Sequence, residues 1–215
     1  MVRVDEGKIK EMFDYLHNPT EDLQESDGVL VFGRRDPKVA KSAYHIYMKG
    51  LTDYLLFTGG IGKDSGILTD LGLPEAKWQA ALAGIIHRVP SEDIYVEPNA
   101  TNGGDCCRFS IDKILKENLP HNDLILLVHS TSLRRTQAVM DVVDEEKNFQ
   151  ANYQRAGTNY TFNPLNSEDQ KEAVAEILRL DRWPAKGWAS EQLDLPSELV
   201  AYACELDARW ASEKK

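Results

Sequence analysis

The chain has 215 residues, with Lys+Arg 25 against Asp+Glu 35, a formal charge of −10 and 42% hydrophobic residues. This is the balance of a globular protein whose core is large enough to need neither disulfide nor metal, and its acidity argues against a nucleic-acid partner, which requires clustered cations. No run approaches the roughly 20 apolar residues that span a bilayer, and the opening residues lack a signal peptide's apolar stretch, so a cytoplasmic protein with no membrane partner is expected. The three cysteines, Cys106, Cys107 and Cys204, are odd in number and two are adjacent, which reads as reduced thiols and not as a disulfide framework or a structural zinc site.

Taken in chain order, Ile9 to Leu16 has helical spacing. Gly28-Val-Leu-Val-Phe-Gly33 is a continuous apolar run, the pattern of a strand buried on both faces. Asp36-Pro37 then opens a helix that should end near Gly50. Asp53 to Thr58 is the second strand and runs into Gly59-Gly60-Ile61-Gly62-Lys63, a loop rich in residues free of backbone restriction. Pro74, placed as a first-turn proline, starts a helix expected to reach His87. Asp93 to Glu97 is a short strand, followed by the polar loop 98–104 and a helix over Asp105 to Lys116. Asp123 to His129 is the clearest central strand, and Ser130-Thr131-Ser132 caps a helix carrying Arg134 and Arg135 in its first turn. Tyr153 to Phe162 suits an edge strand, and from Ser167 the chain is mainly helical.

A β-α unit repeated in this way, with unbroken apolar strands, predicts a Rossmann-like three-layer α/β/α sandwich around a mainly parallel sheet, with a helical C-terminal annex. The expected division is a domain over 1–165 and a helical segment over 166–215. In such sheets ligands bind beyond the carboxyl ends of the strands, so the four βα junctions should converge on one electropositive rim.

Candidate residues follow from that placement. Gly33, Gly59, Gly60 and Gly62 would offer backbone to an anion, with Lys63 close by. Arg134 and Arg135 sit where a helix dipole disfavours cations, which an anionic ligand would explain; pairing of one with a carboxylate and solvation of the other is the competing account. Asp36, with Glu97 and Asp105, would orient ligand hydroxyls or a cation, and Glu75 is a further ligand-binding candidate, although Asp36 and Glu75 each also suit a helix N-terminus. Thr101 and Asn102 belong to the third junction. Glu97, Asp105 and His129 are the candidate catalytic groups, His129 as an acid or base or as a hydrogen-bonding group. No ligand spacing in the sequence points to a metal. The glycine loop lacks GxxxxGK[ST], GxGxxG does not follow the first strand, and GxSxG is absent, which excludes a Walker loop, a dinucleotide fingerprint and a serine elbow.

These junctions resemble the YdcF-like proteins, a family of unknown function that includes the envelope proteins SanA and ElyC. The resemblance lies in Ser26-Asp27 leading into Val29-Leu-Val-Phe-Gly33 with Asp36, Phe57-Thr58-Gly59-Gly60 with Gly62, Glu75-Ala76, Val89-Pro90, Ile94 to Glu97, Ala100-Thr101-Asn102, and Leu126-Leu-Val128 with Arg134-Arg135. It spans about residues 26 to 140. Where the family writes Asn-Thr-x-Glu-Asn, this chain has Asn102-Gly103-Gly104-Asp105-Cys106: the carboxylate survives as Asp, and the threonine and second asparagine do not. The resemblance implies a Rossmann-like fold with a pocket at the strand ends, and a link to S-adenosylmethionine binding. The residues themselves favour an anionic or nucleotide-like small molecule at that pocket. Two alternatives stand beside this: a non-catalytic sensor or interaction module using Trp183, Trp188 and Trp210 as a partner surface, and a metal-dependent phosphate-ester hydrolase using Asp36, Glu97 and Asp105.

Overall fold

The computed structural model describes residues 4–62 and 65–213. β1 (Ser26–Phe32), β2 (Thr52–Thr58), β3 (Ile94–Glu97), β4 (Asp123–Val128) and β5 (Asn152–Gly157) form one sheet in the order β3-β2-β1-β4-β5, and every neighbouring pair is parallel. Side chains alternate across each strand, so every strand feeds two cores. Val29, Val31, Leu55, Phe57, Ile125 and Leu127 pack on one side against Val39, Ala43 and Ile46 of α2 (Lys38–Met48) and Ala76 and Ala80 of α4 (Glu75–Ala81). Leu30, Phe32, Leu56, Leu124, Leu126 and Val128 face the opposite side. There they meet α5 (Gly103–Glu117) through Ile111 and Ile114, and α6 (Leu133–Lys147) through Ala138, Met140 and Val143. α1 (Glu6–Leu16), α7 (Ser167–Arg182) and α8 (Ser197–Ser212) join this second core with Ile9, Met12, Ile177, Ala203 and Leu206. Because both faces are covered, the strands are apolar throughout, and the fold is a Rossmann-like three-layer α/β/α sandwich. No helix among the described residues is long and apolar enough to cross a membrane.

β1 lies at the centre, and the chain winds outward from it through β2 and β3 before returning to wind the other way through β4 and β5. The connections leaving β1 and β4 therefore part to opposite sides and open a crevice at the carboxyl edge. The helix expected from Pro74 to His87 is α-helical only over Glu75–Ala81, with Pro74 preceding it, and continues as a π-helical turn over Leu82–Ile86. This wider turn keeps Ala83 in the core while Ile85 and Ile86 face solvent. The edge strand ends at Gly157 and not at Phe162, because β4 offers no further ladder partner beyond Val128; Thr158 still donates its N–H to the Val128 carbonyl at 2.9 Å. Of the tryptophans considered as a partner surface, Trp183 and Trp210 are half-buried against the second core and only Trp188 is exposed.

Gly28 pairs with Tyr54 across β1 and β2, and a Cβ on Gly28 would stand 2.1 Å from the tyrosine ring. The ring is held in place by its hydroxyl, which donates to the Pro120 carbonyl at 2.8 Å. Gly28→Ala should therefore lower stability by about 1–3 kcal/mol through overpacking, measured as a shift of the urea midpoint without a change in slope.

Candidate functional site

The first junction turns immediately after β1, where Gly33 donates its N–H to the Thr58 carbonyl at 2.7 Å. A Cβ on Gly33 would lie 2.8 Å from that oxygen and 2.9 Å from Cβ of Glu75, so only glycine lets the two junctions touch. The loop is then fastened by a residue that sequence reading overlooked. Gln79, fully buried on α4, donates to the carbonyls of Arg34 and Asp36, and its own carbonyl accepts from Ala40 N–H at 2.9 Å. Asp36 caps the start of α2, accepting from Lys38 N–H at 2.9 Å.

The second junction was expected to present its amides to an anion, and they are already engaged. Gly59 donates to the Glu97 carbonyl at 3.0 Å, Gly60 to the Ala100 carbonyl at 2.6 Å, and Gly62 to Ser65 Oγ at 2.8 Å. These glycines serve close approach. A Cβ on Gly60 would stand 2.7 Å from the Ala100 carbonyl, and Gly59 has φ +132, a conformation L side chains rarely adopt. The carbonyls of Gly59 and Gly60 accept the N–H groups of Ala76 and Glu75 at 2.8 and 3.0 Å, docking α4 onto the loop. Lys63 lies outside the described residues.

At the third junction Glu97 is buried and works on its own chain. Its oxygens accept from Asn99 N–H at 2.8 Å, Ala100 N–H at 3.3 Å and the Thr58 hydroxyl at 3.0 Å. Asn102 and Asp105 form a reciprocal cap for α5: the Asn102 side chain accepts from Asp105 N–H at 3.0 Å, and the Asp105 carboxylate accepts from Asn102 Nδ2 at 2.7 Å and the Thr101 hydroxyl at 3.0 Å. Neither Glu97 nor Asp105 lines the cleft. Both were candidates for catalysis; their oxygens are committed to loop and helix construction. With Asp36 they were also the candidate metal ligands, and among the described residues no three His, Cys, Asp or Glu side chains gather as a metal would require.

The fourth junction carries His129, which is 5% exposed. Its Nδ1 lies 2.8 Å from the Thr131 hydroxyl, which donates to Glu172 at 2.8 Å; Glu172 in turn accepts from Arg34 at 2.9 Å. Nε2 has no partner among the described residues, and the ring lines the cleft. Burial first, and then the charge of Arg34, lower the imidazole pKa to about 3, so it is neutral at pH 7.

All four junctions converge on one cleft of about 770 Å³, and residues Gly33, Asp36, Gly59, Gly60, Gly62, Glu75, Thr101, Asn102, His129 and Arg135 line it together. The wall opposite is α7, which contributes Glu168, Asp169, Lys171, Glu172, Glu176 and Arg179. The annex is thus part of the site. No motif in α7 signalled this; its polar face reads in sequence like any solvated helix surface. With α7 in place the rim is not electropositive. Its described lining carries five cations (Arg34, Arg35, Arg135, Lys171, Arg179) and six carboxylates (Asp36, Glu75, Glu168, Asp169, Glu172, Glu176).

Most of these charges are paired. Glu176, 1% exposed, accepts from Arg135 Nε and from Arg179 at 2.5 Å. Burial disfavours the Arg135 cation, and the charge and hydrogen bond of Glu176 outweigh it and hold its pKa above the ordinary value. Arg134, the adjacent residue, points away. Its Nε donates to the Tyr15 carbonyl at 2.6 Å, its Nη1 to Asp194 at 2.8 Å, and its guanidinium stacks 4.0 Å over the Tyr15 ring. The Arg pair therefore splits, one to the cleft and one to the annex. Burial pushes the Cys106 thiol at the cleft edge up to about 12, which removes the thiolate a nucleophile needs. No protein-family model matches this chain, and no curated protein sequence matches it significantly.

The depressed His129 pKa sets a pH dependence. The unfolded imidazole takes up a proton near 6.5 while the folded one resists until about 3, so the unfolded state binds more protons in that window and stability falls as pH drops through it. The imidazole ¹⁵N shifts of His129 should report the neutral form at pH 5, and His129→Gln should flatten the fall in stability between pH 6.5 and 4.

Proposed function

We propose that this chain is a small-molecule-binding protein, in keeping with its resemblance to the YdcF-like proteins, and that its cleft takes an anionic, nucleotide-like ligand. The observation that carries the reading is the meeting of all four βα junctions at the β1/β4 crevice, in a cavity of 770 Å³ that falls within the ordinary range for small-molecule sites. Charge narrows the ligand. Arg34, Arg135 and Arg179 are each ion-paired with a carboxylate of α7, whereas Arg35 and Lys171 have no carboxylate partner among the described residues. A polyphosphate would meet an excess of carboxylates. A ligand with one anionic group and a hydroxyl- or amine-bearing body would satisfy cations and carboxylates alike, and nucleoside monophosphates, sugar phosphates and S-adenosylmethionine share that description. His129, neutral with Nε2 unpaired, is the group placed to hydrogen-bond such a body; its low basicity makes it a weak general base.

The test is thermal denaturation with nucleotides, sugar phosphates and S-adenosylmethionine. A true ligand at a hundredfold excess over its dissociation constant should raise stability by about 2.7 kcal/mol, and Arg35→Ala and Lys171→Ala should each weaken that response. Melting curves unmoved by every compound would refute the proposal.

A further inference from the structure

The side of the cleft between the first turns of α5 and α6 holds donors without acceptors. α5 begins with Gly103 and Gly104; its Asn102–Asp105 cap satisfies the N–H of Asp105, and Cys106 N–H goes to the Asn102 carbonyl. The N–H groups of Gly103 and Gly104 have no acceptor among the described residues. Apart from its own turn of helix, the described atom nearest to where a Gly103 Cβ would stand is Nη1 of Arg135, at 3.0 Å. Arg135 gives its Nε to Glu176, and neither Nη group has a hydrogen-bond partner among the described residues. Next to it, Thr136 is 4% exposed, lines the cleft, and its hydroxyl has no hydrogen-bond partner among the described residues. The oxygen itself is not sealed from solvent, so it stays available to a ligand that enters the cleft.

We propose that Arg135, Thr136 and the Gly103 amide, all on the cleft wall, form the subsite for a terminal oxyanion of the ligand, and that the unpaired Gly104 N–H at the same helix start turns toward it. This rests on the cleft being a ligand site, as proposed above, and assigns the group that anchors there. Glu176 holds Arg135 through Nε, so the guanidinium presents its Nη edge to a phosphate or carboxylate. Glu176 is shared with Arg179, so the three side chains keep one positive charge. Asp105 does not oppose the anion directly, because its carboxylate turns back to Thr101 and Asn102 and does not line the cleft. The start of α5, where the positive end of the helix dipole lies, adds to the attraction.

The experiment is amide ¹H–¹⁵N spectroscopy of the whole chain at constant ionic strength, titrated with inorganic phosphate and separately with acetate, which tells the two oxyanions apart. The Gly103 and Gly104 resonances should shift saturably with at least one of them. Losing charge-assisted hydrogen bonds should weaken binding by about tenfold or more in the Arg135→Gln/Glu176→Gln pair, which removes the buried ion pair as a unit and leaves only Arg179, whose side chain is 41% exposed, without its partner. Thr136→Val should weaken binding severalfold while keeping the packing, and so reports even where the paired variant fails to fold. Arg134→Ala, outside the cleft, should titrate like the parent. Gly103 and Gly104 amides unmoved by both anions, or Thr136→Val and the paired variant binding as tightly as the parent, would overturn the subsite. If phosphate moves these amides and no nucleotide-like compound stabilises the protein, the subsite stands and the broader reading fails; if such a compound binds while the amides stay still, the reverse holds.

Discussion

All five strands run in one direction, and their register brings them to an end along a single edge of the sheet. A parallel sheet cannot return its chain along that edge, so each strand hands over to a helix and each handover leaves backbone and side chains exposed there. With β1 central and the winding direction reversing between β3 and β4, the handovers from β1 and β4 diverge and leave a gap. The cleft is a consequence of strand order. Gly33 and Gly60 refine it by letting neighbouring junctions lie against one another, and Gln79 fixes the β1 loop to two helices through hydrogen bonds made in a dry environment, where they would be expensive to lose.

Charge within the cleft is arranged in wired groups. Glu172 joins Arg34 to the Thr131–His129 pair, and Glu176 joins Arg135 to Arg179. Breaking either carboxylate would leave a partly buried cation without its partner, a far larger penalty than losing a surface pair. These links also orient what they hold: among the described residues Arg135 is bonded only through Nε, which leaves its outer nitrogens open, and His129 only through Nδ1, which leaves Nε2 open. Such preorganisation favours ligands whose polar groups match fixed positions.

Much of this was legible from the residues. Continuous apolar runs such as Val29 to Phe32 and Leu124 to Val128 can be satisfied only by a sheet covered on both faces, and Asp36-Pro37 marks a helix start through its own local hydrogen bonding. The meeting of the four junctions follows from the same pattern. The roles within the junctions were less legible. Glu97 and the glycine amides look available in sequence, but Glu97 and Gly62 are taken up partly within their own loops, by the Asn99 and Ala100 amides and by Ser65, and the rest of their partners, Thr58 and the carbonyls of Glu97 and Ala100, come from the neighbouring junction. Glu172, Glu176 and Arg179 were invisible as site residues, since a polar helix face reads the same whether it meets water or a cleft.

Arg134 and Arg135 mark the boundary between the two kinds of knowledge. Local propensity and apolar periodicity, which depend only on residues a few positions apart, placed both arginines in the first turn of a helix after a central strand. Adjacent helical residues point about 100° apart, and only the packing of α1 and α7 around that turn decides that one guanidinium stacks on Tyr15 while the other is held by Glu176 facing the cleft. Fold class is written in short-range pattern; which groups share a pocket, and with what net charge, depends on contacts between segments 41 to 138 residues apart, and these exist only once the chain has folded.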